Sequence, residues 1–170
     1  MPSSFGFEKP EDSPGFLLWQ TTITWQRLIK EALEPFDISH AQFVVMAVTL
    51  WLDEHAQETS QTAIAGLSKL DKMTVSKSLH KLTRLGYVKR HESGRDSRAK
   101  LVEFTTDGKK LVARLIAIIE TIDAKFFGLV TLEEQNDLIT TLHHLTTAAT
   151  LAKPRLHYKW PEKQQPKPHP

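Results

Sequence analysis

Between Gln61 and Thr106 the chain reads, in order, as a short helix, a tight turn, a second helix with one polar face and a two-stranded hairpin. Few folds accept that order in so little chain. The run "QTAIAGLSK" (Gln61 to Lys69) has helical spacing, with Ile64, Leu67 and Leu70 expected to face inward, and Asp71 offers an N-cap for the second helix. From Lys72 to Leu85, "KMTVSKSLHKLTRL" gathers Val75, Leu79 and Leu82 on one stripe at about 100° per residue, with Met73, Lys77, His80 and Arg84 opposite. Thr74, Ser76 and Lys81 flank that outer face. Gly86 stands where helices end, and "YVKRHE" and "AKLVEFT" alternate as strands on either side of the turn-rich "SGRDSR".

A helix-turn-helix followed by a hairpin wing has a physical use. An α-helix fits the major groove of B-DNA and reaches base edges with its first turns, so the candidate contacts are Lys72, Met73, Thr74, Ser76, Lys77, His80, Lys81 and Arg84. A hairpin beside such a helix reaches the adjacent minor groove, whose negative potential attracts arginine, which nominates Arg95 and Arg98. Asp96 suits phosphate poorly and is expected to pair with a neighbouring arginine and hold the tip in shape. The charge distribution agrees: from Lys69 to Lys100 ten Lys and Arg stand against three acids, although the whole chain carries only +2.

Around this centre the pattern is helical. Residues 1–14, with three prolines, read as a flexible arm. "FLLWQTTITWQRLIKEAL" (Phe16 to Leu33) is a first helix closed by Pro35, and Ser39 caps a second that is apolar almost all round from Ala41 to Leu52. After the hairpin, a long helix runs from about Asp107 to Phe127, with Leu111, Leu115, Ile118, Ile119, Ile122 and Phe126 apolar. Thr131 and Glu134 form a capping box for a last helix to about Ala152 that contains Leu138, Leu142 and Leu145. Residues 153–170 hold five prolines and five Lys or Arg against one Glu, a basic, extended tail.

The segment from Asp96 to Gly108, "DSRAKLVEFTTDG", resembles the wing signature of the multiple antibiotic resistance regulator (MarR) family: Asp-x-Arg, an aliphatic, an apolar residue, Thr and Gly at fixed spacing. The order of elements from Phe16 to Ala152 resembles that family as well. Phe104 stands where the family often has leucine. The resemblance implies a mainly α fold with a small β-wing: a winged helix-turn-helix at about 38–106 between dimerisation helices at about 15–36 and 107–152. It also implies a homodimer on a palindromic operator in double-stranded DNA, with Arg98 as the wing arginine, Asp96 as its anchor and Lys72 to Lys81 as the recognition helix. Small aromatic or anionic ligands are implied between the dimerisation and DNA-binding parts, where Trp25 and His40 are the candidate pocket residues. The dimer has an independent warrant, since two half-sites about 34 Å apart multiply the discrimination of one helix-turn-helix.

Other chemistry finds little support. No cysteine is present, which removes disulfides and thiolate ligands, and His143 and His144, adjacent on a helix, diverge too far to chelate one ion unaided. No phosphate loop, nucleophile elbow or framed carboxylate pair points to an enzyme, and no cofactor is expected. The N-terminus lacks a secretion pattern and the longest apolar run, Phe43 to Leu52, is too short for a bilayer, so a cytoplasmic protein without membrane contact is expected. The expected function is a sequence-specific, ligand-responsive repressor; the alternative is a winged-helix module that binds another protein and no specific DNA.

Overall fold

A computed structural model describes residues 6–92 and 100–151. Six helices are present among them: α1 (Pro14–Leu33), α2 (His40–Glu54), α3 (Gln61–Ser68), α4 (Lys72–Arg84), α5 (Thr106–Phe127) and α6 (Leu132–Leu151). The strands β1 (Val88–Glu92) and β2 (Lys100–Phe104) form one antiparallel pair, with Val88 opposite Phe104 and Arg90 opposite Val102. The fold is mainly α with a small β-wing. The chain divides into a central unit, Gln26–Ala124, and a terminal unit made from the segments before and after it.

Local chemistry sets most element ends. The Ser39 hydroxyl accepts from the Gln42 amide while the Gln42 side chain accepts from the Ser39 amide, a capping box that opens α2. Ser60 caps α3 through the Ala63 amide and Asp71 caps α4 through Thr74. α1 stops at Leu33, and Glu34–Phe36, which contains Pro35, continues as one 3-10 turn. Ahead of α1, Pro10–Asp12 forms another such turn.

The core belongs to the central unit. α2 packs on α3 and α4, and α3 on α4. Val75, Leu79 and Leu82 of α4 are completely buried, as are Ile64 of α3, Val45 and Met46 of α2, and Val112 and Leu115 of α5. Each such side chain contributes about 1.5–3 kcal/mol relative to exposure. Leu67 departs from expectation: it is exposed, because the inward face of α3 centres on Ile64 and Ser68, and Leu67 lies to one side of it.

The hairpin is fixed to this core at both ends. The Val102 amide donates to the Thr59 carbonyl, and Ser60 bridges Leu101, so the approach to α3 adds a short third edge to the sheet. At the other end Gly86, at φ +76, terminates α4: its amide donates to Thr83 and the Tyr87 amide to Leu82. The Thr105 hydroxyl donates to the Gly86 carbonyl at 2.7 Å and accepts from the Gly108 amide at 3.0 Å, which caps α5. A Cβ on Gly108 would lie 1.9 Å from the Tyr87 carbonyl oxygen, so only glycine lets α5 start this close to the base of β1.

Candidate nucleic-acid interface

α4 is a helix of two opposed halves. Val75, Ser78, Leu79 and Leu82 are buried, while Lys72, Met73, Lys77, His80 and Arg84 are exposed. Met73, with 65% of its surface accessible, is a large thioether left on a polar face. Thr74 and Ser76 are half-buried along the margin.

The first turn of α4 is tightly organised. Asp71 Oδ1 accepts from the Thr74 amide at 2.8 Å and Asp71 Oδ2 from the Thr74 hydroxyl at 2.6 Å. The Thr74 hydroxyl, then the backbone amides, hold the Asp71 carboxyl below its ordinary value of 3.8, and its charge complements the helix dipole. Thr74 therefore commits its hydroxyl proton to the cap.

Farther along, Lys81 Nζ donates to Asp37 Oδ2 at 2.8 Å, across 44 residues of sequence. Asp37 sits at φ 52 in the left-handed region, where the short carboxylate residue is among the few that stand the conformation readily. Both groups are substantially exposed, so the pair contributes about 1 kcal/mol or less. Its effect is to orient the ammonium of Lys81 along the flank of α4.

Two residues that the sequence reading passed over join this site. Arg90 of β1 donates through Nη2 to Gln61 Oε1 at 3.1 Å, and Gln61 Nε2 donates to the Lys72 carbonyl at 3.3 Å. A signal was present in the sequence: Arg90 alternates with Val88 on the side of the strand that faces the core, where a cation is out of place.

The remaining candidates fall elsewhere. Arg95, Asp96 and Arg98 lie outside the described residues. Trp25 and His40 are each half-buried; burial lowers the His40 imidazole from its ordinary 6.5, and the Asp123 carboxylate opposes that shift. In the central unit, the Arg114 guanidinium lies over the Phe36 ring at 5.0 Å. No single helix among the described residues is long and apolar enough to cross a membrane.

A half-buried helix that follows a short helix and a tight turn, with a hairpin anchored behind it, defines a winged helix-turn-helix protein. Residues 34–123 match the family model described as ArnR1-like, winged-helix domain. An HTH-type transcriptional regulator of Bacillus subtilis strain 168, YdcH, is 36% identical over 122 residues, covering 72% of this chain and 83% of that protein. The crystal structure of a mutant MarR from Escherichia coli complexed with operator DNA superposes with a TM-score of 0.68 at 23% identity, over 77% of this chain and 91% of that one. CouR of Rhodococcus jostii bound to p-coumaroyl-CoA gives 0.72 at 22% identity, over 82% and 95%. The chain belongs to the ArnR1-like winged-helix family of HTH-type transcriptional regulators, and its fold is that of the MarR structures.

Proposed function

We propose that the protein is a cytoplasmic repressor that binds a palindromic operator as a homodimer, acts without catalysis or a cofactor, and is released by a small ligand. The observation that carries this reading is the division of α4, whose apolar stripe is sealed while Lys72, Met73, Lys77, His80 and Arg84 face solvent. That helix enters the major groove, with Ser76 and the methyl of Thr74 at its margin and Lys81 toward the phosphates. The wing arginines Arg95 and Arg98 take the neighbouring minor groove, with Asp96 as the tip's anchor.

Dimerisation is supported by the terminal unit. Trp19, Leu132 and Ile139 are 59%, 73% and 65% exposed, and Phe16, Leu18, Leu129 and Leu145 are exposed as well. A helical segment with so much apolar surface needs a partner, and a second copy of the chain supplies it with two-fold symmetry. The ligand is a small aromatic or anionic molecule, as CouR's complex with p-coumaroyl-CoA suggests for this fold, with His40 as the candidate contact in the central unit. His40 would report occupancy, since its ionisation responds to burial.

A salt titration on duplex selected by the protein itself tests the reading. A dimer that neutralises six to ten phosphates loses about 10³ to 10⁵ in affinity between 50 and 200 mM salt. A flat response, or equal affinity for selected and random duplex, would refute specific DNA binding and leave a protein partner as the outcome.

A further inference from the structure

β1 carries an arginine where its alternation calls for an apolar side chain. Val88, Val102 and Phe104 share the core-facing side of the hairpin with Arg90 and are nearly fully buried. Arg90 Nε is itself sealed from solvent and finds no acceptor. Such a group is costly to keep, and an apolar side chain of similar length at such a site is often neutral or stabilising. The polar contact Arg90 does make leads to the reading helix: Nη2 donates to Gln61 Oε1 at 3.1 Å.

That bond dictates the rest. With its oxygen turned to the guanidinium, the Gln61 amide must turn its nitrogen the other way, and Nε2 meets the Lys72 carbonyl at 3.3 Å. Lys72 opens α4 and Gln61 opens α3, so one series of two hydrogen bonds joins the wing strand to the first residue of each helix of the motif. The first turn of α4 is the part that meets base edges, and small displacements there change which donors and acceptors align.

We propose that Arg90 and Gln61 are positioning residues that hold the first turn of α4 in the pose needed to discriminate between DNA sequences, without touching the bases themselves. The inference rests on α4 being the helix that reads the major groove. The competing role for Arg90, a direct phosphate contact, predicts something different: loss of a phosphate contact weakens binding to every sequence and lowers the salt slope by about 1.

The experiment compares the full-length parent, Arg90→Met, Gln61→Leu, the double variant and Arg90→Lys. Two probes are used: a duplex selected by the parent from a random-sequence pool, and an unselected duplex of the same length. In Arg90→Met the ratio of affinities for the two duplexes falls about five- to tenfold, the factor a net hydrogen bond commands. The salt slope holds and the thermal midpoint stays level or rises. Gln61→Leu gives the same fall, the double variant adds nothing to either single one, and Arg90→Lys, whose ammonium can still reach Gln61, recovers part of the ratio. Gln61→Leu, at a half-exposed helix position, carries the comparison should Arg90→Met fail to fold. An unchanged ratio, a slope lower by about 1, additive singles, or a ratio that falls only in step with the thermal midpoint overturns the proposal. A parent that does not discriminate overturns the major-groove reading along with it, whereas a discriminating parent with equally discriminating variants overturns this inference alone.

Discussion

The central and terminal units solve the burial problem in opposite ways. Every buried residue among those described lies between Ile29 and Ile119, inside the central unit. That unit has crossing helices, a wing fastened at both ends and a sealed core. The described parts of the terminal unit contain long helices and a well-formed cap, yet no side chain within 6–25 or 125–148 is buried. Both units are comparably helical, so helix formation is not what separates them. The central unit finds its apolar partners within one chain, whereas the described leucines of the terminal unit stay exposed, the surface that the proposed dimer would cover.

The largest expected effect breaks that contrast where it is sharpest. Ile139→Glu together with Leu142→Glu places two charges on the apolar surface of α6 in each protomer, and the dissociation constant of the proposed dimer rises about 10³-fold, at about 1 kcal/mol for each of the four lost anchors. Sedimentation at graded concentrations reads it, and the central unit unfolds as cooperatively as before. Gly108→Ala attacks the other side of the comparison. The added methyl meets the Tyr87 carbonyl, so chemical denaturation should show a loss of about 3 kcal/mol confined to the central unit.

Arg98→Ala leaves both units intact and weakens binding to selected duplex by about 1–3 kcal/mol, with the oligomer unchanged on a sizing column. A milder test uses pH. Burial depresses the folded-state value of His40, so its contribution to the central unit is present above 6.5 and is lost as pH falls through 6.5 toward the lowered value. Thermal midpoints of the parent decline over that interval, and those of His40→Gln decline less. The smallest effect compares one cap from each unit. Asp71 is held below 3.8 chiefly by the Thr74 hydroxyl, and Glu134 below 4.5 chiefly by the Thr131 amide. Both caps contribute above those values and weaken as acid takes the carboxylates through their lowered ones, which circular dichroism of the helices below pH 4.5 will follow.

Features governed by near neighbours were legible in the sequence. Ser39, Asp71 and the Thr131–Glu134 pair cap helices as their spacing predicts, and Gly86 ends α4. The α4 stripe of Val75, Leu79 and Leu82 is buried in full because thirteen residues show the helical period clearly. Leu67 shows the limit: in an eight-residue helix the period fixes a face only loosely, and packing from distant elements sets its rotation. The Lys81–Asp37 and Arg90–Gln61 contacts, 44 and 29 residues apart, carry no local signal of partnership. The threonine and glycine of the wing signature could be matched as letters. Their reason, a hydroxyl between Gly86 and Gly108 and a carbonyl where a methyl would stand, needed the folded chain.

That corner around Thr105 bears on how such regulators can diversify. The chain leaves α4 and returns to α5 through a knot of four backbone groups and one hydroxyl at the base of β1 and β2. That corner is closed by residues outside both strands, so it can hold while strand residues other than Arg90 change. New finger sequences can be exchanged like tool bits while the chuck stays locked.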